Sequence, residues 1–114
     1  MGKNVTLQHK DLASGRWQEM RFVEQMANIA SEVERSLKWK EKNNAPYSEK
    51  ALERALELLD MTLEDPKNKS RLREIARVRE TLSDYFYGNN QYASTPASWR
   101  SYFSVFTFAA RKTC

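Results

Sequence analysis

Histidine and cysteine are nearly missing from this 114-residue chain: His9 and Cys114 are the only examples. One histidine cannot build a His-rich metal site, a Ser-His pair, or the Glu-x-x-His pairs of di-iron bundles. One cysteine cannot form an internal disulfide, and no neighbouring base activates it. Glycine occurs three times, at 2, 15 and 88, too sparsely for a Gly-rich phosphate loop. No apolar run approaches the roughly 20 residues of a membrane span. The first ten residues lack an apolar signal core, so export is not expected and the expected compartment is the cytoplasm.

What is present points to helices. Hydrophobic residues make up 40% and charged residues 30% of the chain, with long stretches rich in Ala, Leu, Glu, Lys and Arg. The expected fold is all-α, an antiparallel four-helix bundle with helices over about 15–42, 46–64, 66–87 and 96–111. Residues 1–13 show no sustained period and read as a flexible N-terminal arm; residues 14–114 read as a single domain. The three prolines punctuate this scheme: Asp65-Pro66 and Thr95-Pro96 are cap-plus-proline starts, and Asn43-Asn44-Ala45-Pro46 is a turn. Gly88 is expected to end the third helix as a residue that accepts positive φ. Short connections make consecutive helices antiparallel neighbours.

The first helix carries a broad apolar arc, with Met20, Val23, Met26, Ile29, Ala30, Val33 and Leu37. A helix of that kind touches several others. Trp17 and Trp39 fall off the arc, as end-packing residues or a second contact surface. In the last helix Trp99, Tyr102, Phe103 and Phe106 share a face, and Phe108 points away. The off-face aromatics and the wide arc lead to an expectation of self-association as a homodimer.

Three sets of charged residues are candidates for chemistry. Glu53, Glu57 and Asp60 line one side of the second helix and are spaced to hold a divalent ion, as a metal-dependent nucleotide hydrolase requires. The alternative is a solvated acidic face. Lys67, Lys69, Arg71, Arg73 and Arg77 form a candidate anion-binding set. Residues 66–114 carry 9 Lys/Arg against 3 Asp/Glu, while residues 1–65 carry 10 against 12. Yet Arg71–Glu74 and Arg77–Glu80 suggest ordinary pairing. Arg79 falls in the apolar arc of the third helix, where a charge needs a partner. Glu34, near the margin of the first helix's arc, is the expected partner in a buried ion pair.

Four stretches resemble one another's counterparts in a known group: Asn-Ile-Ala-Ser-Glu-Val-Glu-Arg (28–35), Arg-Ala-Leu-Glu-Leu-Leu-Asp (54–60), Leu-Arg-Glu-Ile-Ala-Arg-Val-Arg-Glu (72–80) and Tyr-Phe-Ser-Val-Phe-Thr-Phe-Ala-Ala-Arg (102–111). Together the chain resembles a family of small prokaryotic all-helical proteins of unknown function. At fold level it is also similar to HEPN-type four-helix domains, which accompany nucleotidyltransferases or act as RNases. The RNase members use an Arg followed closely by a His, a pair missing here. The resemblance therefore implies a fold and no known activity, and leaves an inactive, partner-binding relative open. The resulting expectation is a non-catalytic interaction or accessory module with no cofactor. A nucleic-acid-associated helical protein using the basic second half is the alternative.

Overall fold

The computed structural model describes residues 15–112, and these are all-helical, with no strand among them. A short helical stretch at 15–19 leads into α1 (Phe22–Glu41), followed by α2 (Ala45–Glu64). A 3-10 segment, Pro66–Arg71, runs into α3 (Leu72–Tyr87), and α4 (Pro96–Lys112) completes the order. The expected arm, together with His9 and Cys114, lies outside the described residues. No helix among the described residues is long and apolar enough to cross a membrane.

α1 is the hub. It packs against α2 on one side and α4 on the other, and α3 docks chiefly on α2. Its inward stripe of Met26, Ile29, Val33 and Leu37 is essentially fully buried. Each such side chain contributes about 1.5–3 kcal/mol of hydrophobic stabilisation. Ala55 and Leu59 meet it from α2, Ile75, Val78 and Leu82 from α3, and Trp99, Phe103 and Phe106 from α4. α1 and α2 are also joined by Ser36 and Ser48. Each hydroxyl bonds the other's carbonyl oxygen, at 2.8 and 2.9 Å, so two small polar residues are buried with their hydrogen bonds made.

The helix starts follow their local chemistry. Asn44 Oδ1 accepts from Tyr47 N, Asp65 Oδ1 accepts from Lys67 N, and Thr95 Oγ1 accepts from Ser98 N, each just before a proline-led helix. Two expectations are corrected. The first helix does not run unbroken over 15–42. It breaks at Met20–Arg21, where Arg21 has extended backbone and its N–H bonds Glu24 Oε1 at 3.0 Å, so α1 starts afresh with its own cap. No Gly or Pro marks this break; a tertiary contact described below holds it.

Gly88 is not at positive φ either. Its φ is −103°, and the left-handed positions in the described residues are Asn43, Asn90 and Ala93. Glycine is favoured by space: a Cβ at 88 would stand 3.0 Å from the Asp84 carbonyl oxygen, a tight contact. The chain then curls back so that the Asp84 carboxylate accepts from Gln91 N and Tyr92 N at 2.9 and 3.1 Å.

Candidate functional site

Where the 15–19 stretch, α1, α2 and the 3-10 segment meet, polar side chains are buried. Gln25 is 0%, Thr62 0%, Asn68 1% and Asp65 3% exposed. The Gln25 amide donates to Trp17 O at 2.9 Å and to Asp65 Oδ2 at 2.8 Å, and its Oε1 accepts from Asn68 Nδ2 at 2.9 Å. Asn68 gives its second hydrogen to Thr62 O at 3.0 Å. Trp17 Nε1 donates to Thr62 Oγ1 at 2.9 Å, and Thr62 passes its own proton to Leu58 O at 2.7 Å. Lys67 Nζ closes the outer side, bonding Asp65 Oδ2 and Gln18 O.

Each amide hydrogen of Gln25 and Asn68 is used, so this is a satisfied network that fixes geometry. It holds the Met20–Arg21 break by tying Trp17 O to Gln25. Burial alone would push the Asp65 carboxyl up. The hydrogen bonds from Lys67 and Gln25, with the Lys67 charge, outweigh burial and hold it below the usual carboxylate range.

The candidate ion pair between Glu34 and Arg79 does not form. Arg79 donates Nε to Asp60 Oδ1 at 2.6 Å, with both side chains partly exposed, at 38% and 44%. Glu34 instead receives Arg100 in a two-pronged contact at 2.9 and 3.0 Å, and Arg100 also reaches Glu41 at 3.0 Å. The reason lies in the narrow seam of α3. Ile75, Val78 and Leu82 are buried, whereas Leu72 and Ala76 are exposed, so the true seam places Arg79 at the rim facing α2. Arg79→Ala should therefore lower stability by less than about 1 kcal/mol, the range of surface pairs. A loss of about 3 kcal/mol or more in urea unfolding is what a buried pair requires.

The acidic trio does not converge. Glu53 and Glu57 are exposed and Asp60 is bonded to Arg79. Among the described residues no three His, Cys, Asp or Glu side chains are placed to hold a metal ion. The candidate anion-binding set is also partly engaged within the fold. Lys67 belongs to the buried junction. Arg71 lies 3.5 Å from Glu74 and 4.6 Å above the Phe22 ring, and Arg77 lies 6.0 Å from the Tyr92 ring. Lys69 and Arg73 are exposed and make no ion pair among the described residues. On the same side the Tyr102 hydroxyl donates to Glu74 at 2.9 Å; burial, then this bond, pushes its pKa well up.

A larger group of open cations lies around the outer face of α1. Two grooves flank that face. One, about 1110 Å³, runs between α1 and α2 and includes Arg16, Lys50 and Arg54. The other, about 730 Å³, runs between α1 and α4 and includes Lys38, Lys42 and Arg111. Ser31, Arg35 and Trp39, spaced i, i+4, i+8, line both grooves and so form the ridge between them.

Those six cations make no ion pair among the described residues. The acids nearby are mostly committed: Glu32 to Arg35 at 2.6 Å, Glu34 to Arg100, and Asp60 to Arg79. Aromatic rings accompany the charge. Trp39 is held edge-on by Tyr47, with centroids 4.8 Å apart and planes at 85°. Phe108 is 66% exposed beside the α1–α4 groove.

Sequence reading placed the anion surface on α3 because the basic excess lies after residue 65. The structure instead joins Lys38 and Lys42 of the acidic half to Arg111 of the basic half. The available signal was the run Lys38-Trp-Lys-Glu-Lys42, two cations flanking an off-arc tryptophan. Comparisons with protein-family models, curated proteins and solved structures yield no match for this chain.

Proposed function

We propose that this chain is a non-catalytic binding module whose working surface is the outer face of α1, presented to an anionic partner. The carrying observation is the group of six unpaired cations around the Ser31–Arg35–Trp39 ridge, next to acids already engaged with other arginines. Unpaired like charges on one face repel each other and gain when an anion neutralises them. The helices are read as an antiparallel four-helix bundle serving as a rigid support, in keeping with the resemblance to helical accessory domains. Exposed Val105 and Phe108 on α4, at 65% and 66%, favour a second reading, self-association into a homodimer.

Retention on immobilised heparin tests the first reading. The triple charge reversal Lys38→Glu/Lys42→Glu/Arg111→Glu should elute at markedly lower salt than the parent chain. A control reversal on α3, Lys69→Glu/Arg73→Glu, should shift elution much less. Equal shifts in the two variants, or a larger one in the control, contradict the assignment.

A further inference from the structure

Two aromatics of the α1–α4 groove, half-buried Trp39 and exposed Phe108, each carry a lysine. Lys42 Nζ lies 5.4 Å from the Trp39 ring centroid, and Lys112 Nζ lies 5.7 Å from that of Phe108. In each unit the ammonium lies over the ring, so a cation and a π-surface are presented together. A partner that supplies only carboxylates answers the cation and leaves the ring exposed to water. A nucleotide answers both, with a base for the ring and a phosphate for the ammonium. We infer that the partner of this face is single-stranded nucleic acid, with bases stacked on Trp39 and Phe108 and phosphates held by Lys38, Lys42 and Arg111. This rests on the assignment of the α1 face as the working surface.

Three further observations favour that partner. Trp39 is pre-oriented by its edge contact with Tyr47, so little freedom is lost when a base stacks on it. The surface is two open grooves astride a ridge rather than a projecting helix, so an unpaired strand fits it better than the major groove of a duplex does. The groove's uncharged polar groups are the hydroxyls of Ser31, Ser104 and Thr107, a set without the amide pairs that read base edges, so binding should tolerate many sequences. The corresponding pair on α3, Arg77 over Tyr92, is unsuited. Glu80 accepts the Tyr92 hydroxyl at 2.7 Å and places a carboxylate where a phosphate has to sit.

Fluorescence titration decides the matter, because Trp17 and Trp99 are each only 5% exposed and Trp39 is the half-buried one that a ligand can reach. A ten-nucleotide oligo-dT or oligo-U should quench Trp39 and bind more tightly than a ten-base-pair duplex. Three phosphate contacts give a log K against log salt slope of about −2. Trp39→Leu and Phe108→Leu should each weaken binding about fivefold to a hundredfold. Trp39→Phe should recover most of that loss, which a purely structural effect cannot explain.

Polyglutamate binding as tightly as the oligonucleotide overturns the inference in favour of an acidic protein segment. Duplex binding at equal strength without Trp39 quenching also overturns it. So does oligonucleotide-insensitive dimerisation that is abolished by Phe108→Glu. In the first two cases heparin retention by the α1 face stands, which separates failure of this inference from failure of the surface assignment.

Discussion

Asp65→Ala is expected to destabilise the protein by about 2–4 kcal/mol, which corresponds to a melting temperature lower by roughly 10 °C. The carboxylate is 3% exposed and receives Gln25 Nε2, Lys67 N and Lys67 Nζ. Removing it strands a buried amide hydrogen and the Lys67 ammonium, and frees the first turn of the 3-10 segment. Gln25→Leu, which keeps the volume but removes three hydrogen bonds, should cost a similar amount. The Trp17 carbonyl then keeps only Met20 N, and one Asn68 amide hydrogen and the inner Asp65 oxygen each lose a partner.

The same site predicts a pH dependence. The folded carboxyl of Asp65 lies below its usual value, so its stabilisation is present above the unfolded pKa of about 3.9. It is lost as pH falls through the lower folded value. Urea midpoints measured from pH 5 down to pH 2.5 should fall, and the Asp65→Asn variant should lack part of that fall. A parent and variant with parallel profiles contradict this account of the junction.

Ser36→Leu is expected to cost about 2–4 kcal/mol. Ser36 is fully buried and its hydroxyl sits 3.1 Å from that of Ser48 across the α1–α2 contact. Leucine forces the helices apart, an overpacking cost of about 1–3 kcal/mol, and removes the hydroxyl that donates to the Ser48 carbonyl oxygen, a further loss of about 1 kcal/mol. Ser36→Ala removes the Ser36 hydroxyl's bond without adding bulk, leaves the Ser48 hydroxyl bonded to the Ser36 carbonyl oxygen, and should cost about 1 kcal/mol. If chemical denaturation ranks the two variants equally, the contact is looser than the Ser36–Ser48 distances indicate.

The parts of the fold legible in the sequence were those set by local chemistry. Asn44, Asp65 and Thr95 announce helix starts because a short acceptor side chain followed by proline acts within one turn. The buried faces of α1 and α4 follow from helical spacing alone. The break at Met20–Arg21 did not, because it is held by Gln25, a residue that reads as a surface glutamine until Trp17, Asp65 and Asn68 are known to surround it. Arg79 was misplaced because wide apolar spacing made α3 look more deeply inserted than its three-residue seam requires. Its partner, Asp60, had been counted among metal-ligand candidates instead. Gly88 is expected at positive φ from its place at a helix end; its φ is −103°, and what favours glycine there is the close approach of the Asp84 backbone one turn earlier. The α1 face was hidden for a related reason: its cations come from the 15–19 stretch, α1, α2 and α4, which meet only in the folded chain.

The most direct test of the α1 face as working surface is a two-dimensional proton–nitrogen NMR titration with a short heparin fragment or a ten-nucleotide oligo-dT. The three tryptophan side-chain N–H signals give the answer. The Trp39 signal should move, together with the backbone signals of Ser31, Arg35, Lys38 and Lys42, while those of Trp17 and Trp99 stay in place. Shifts concentrated instead at Lys69, Arg73 and Arg77, with the Trp39 signal unmoved, contradict the account.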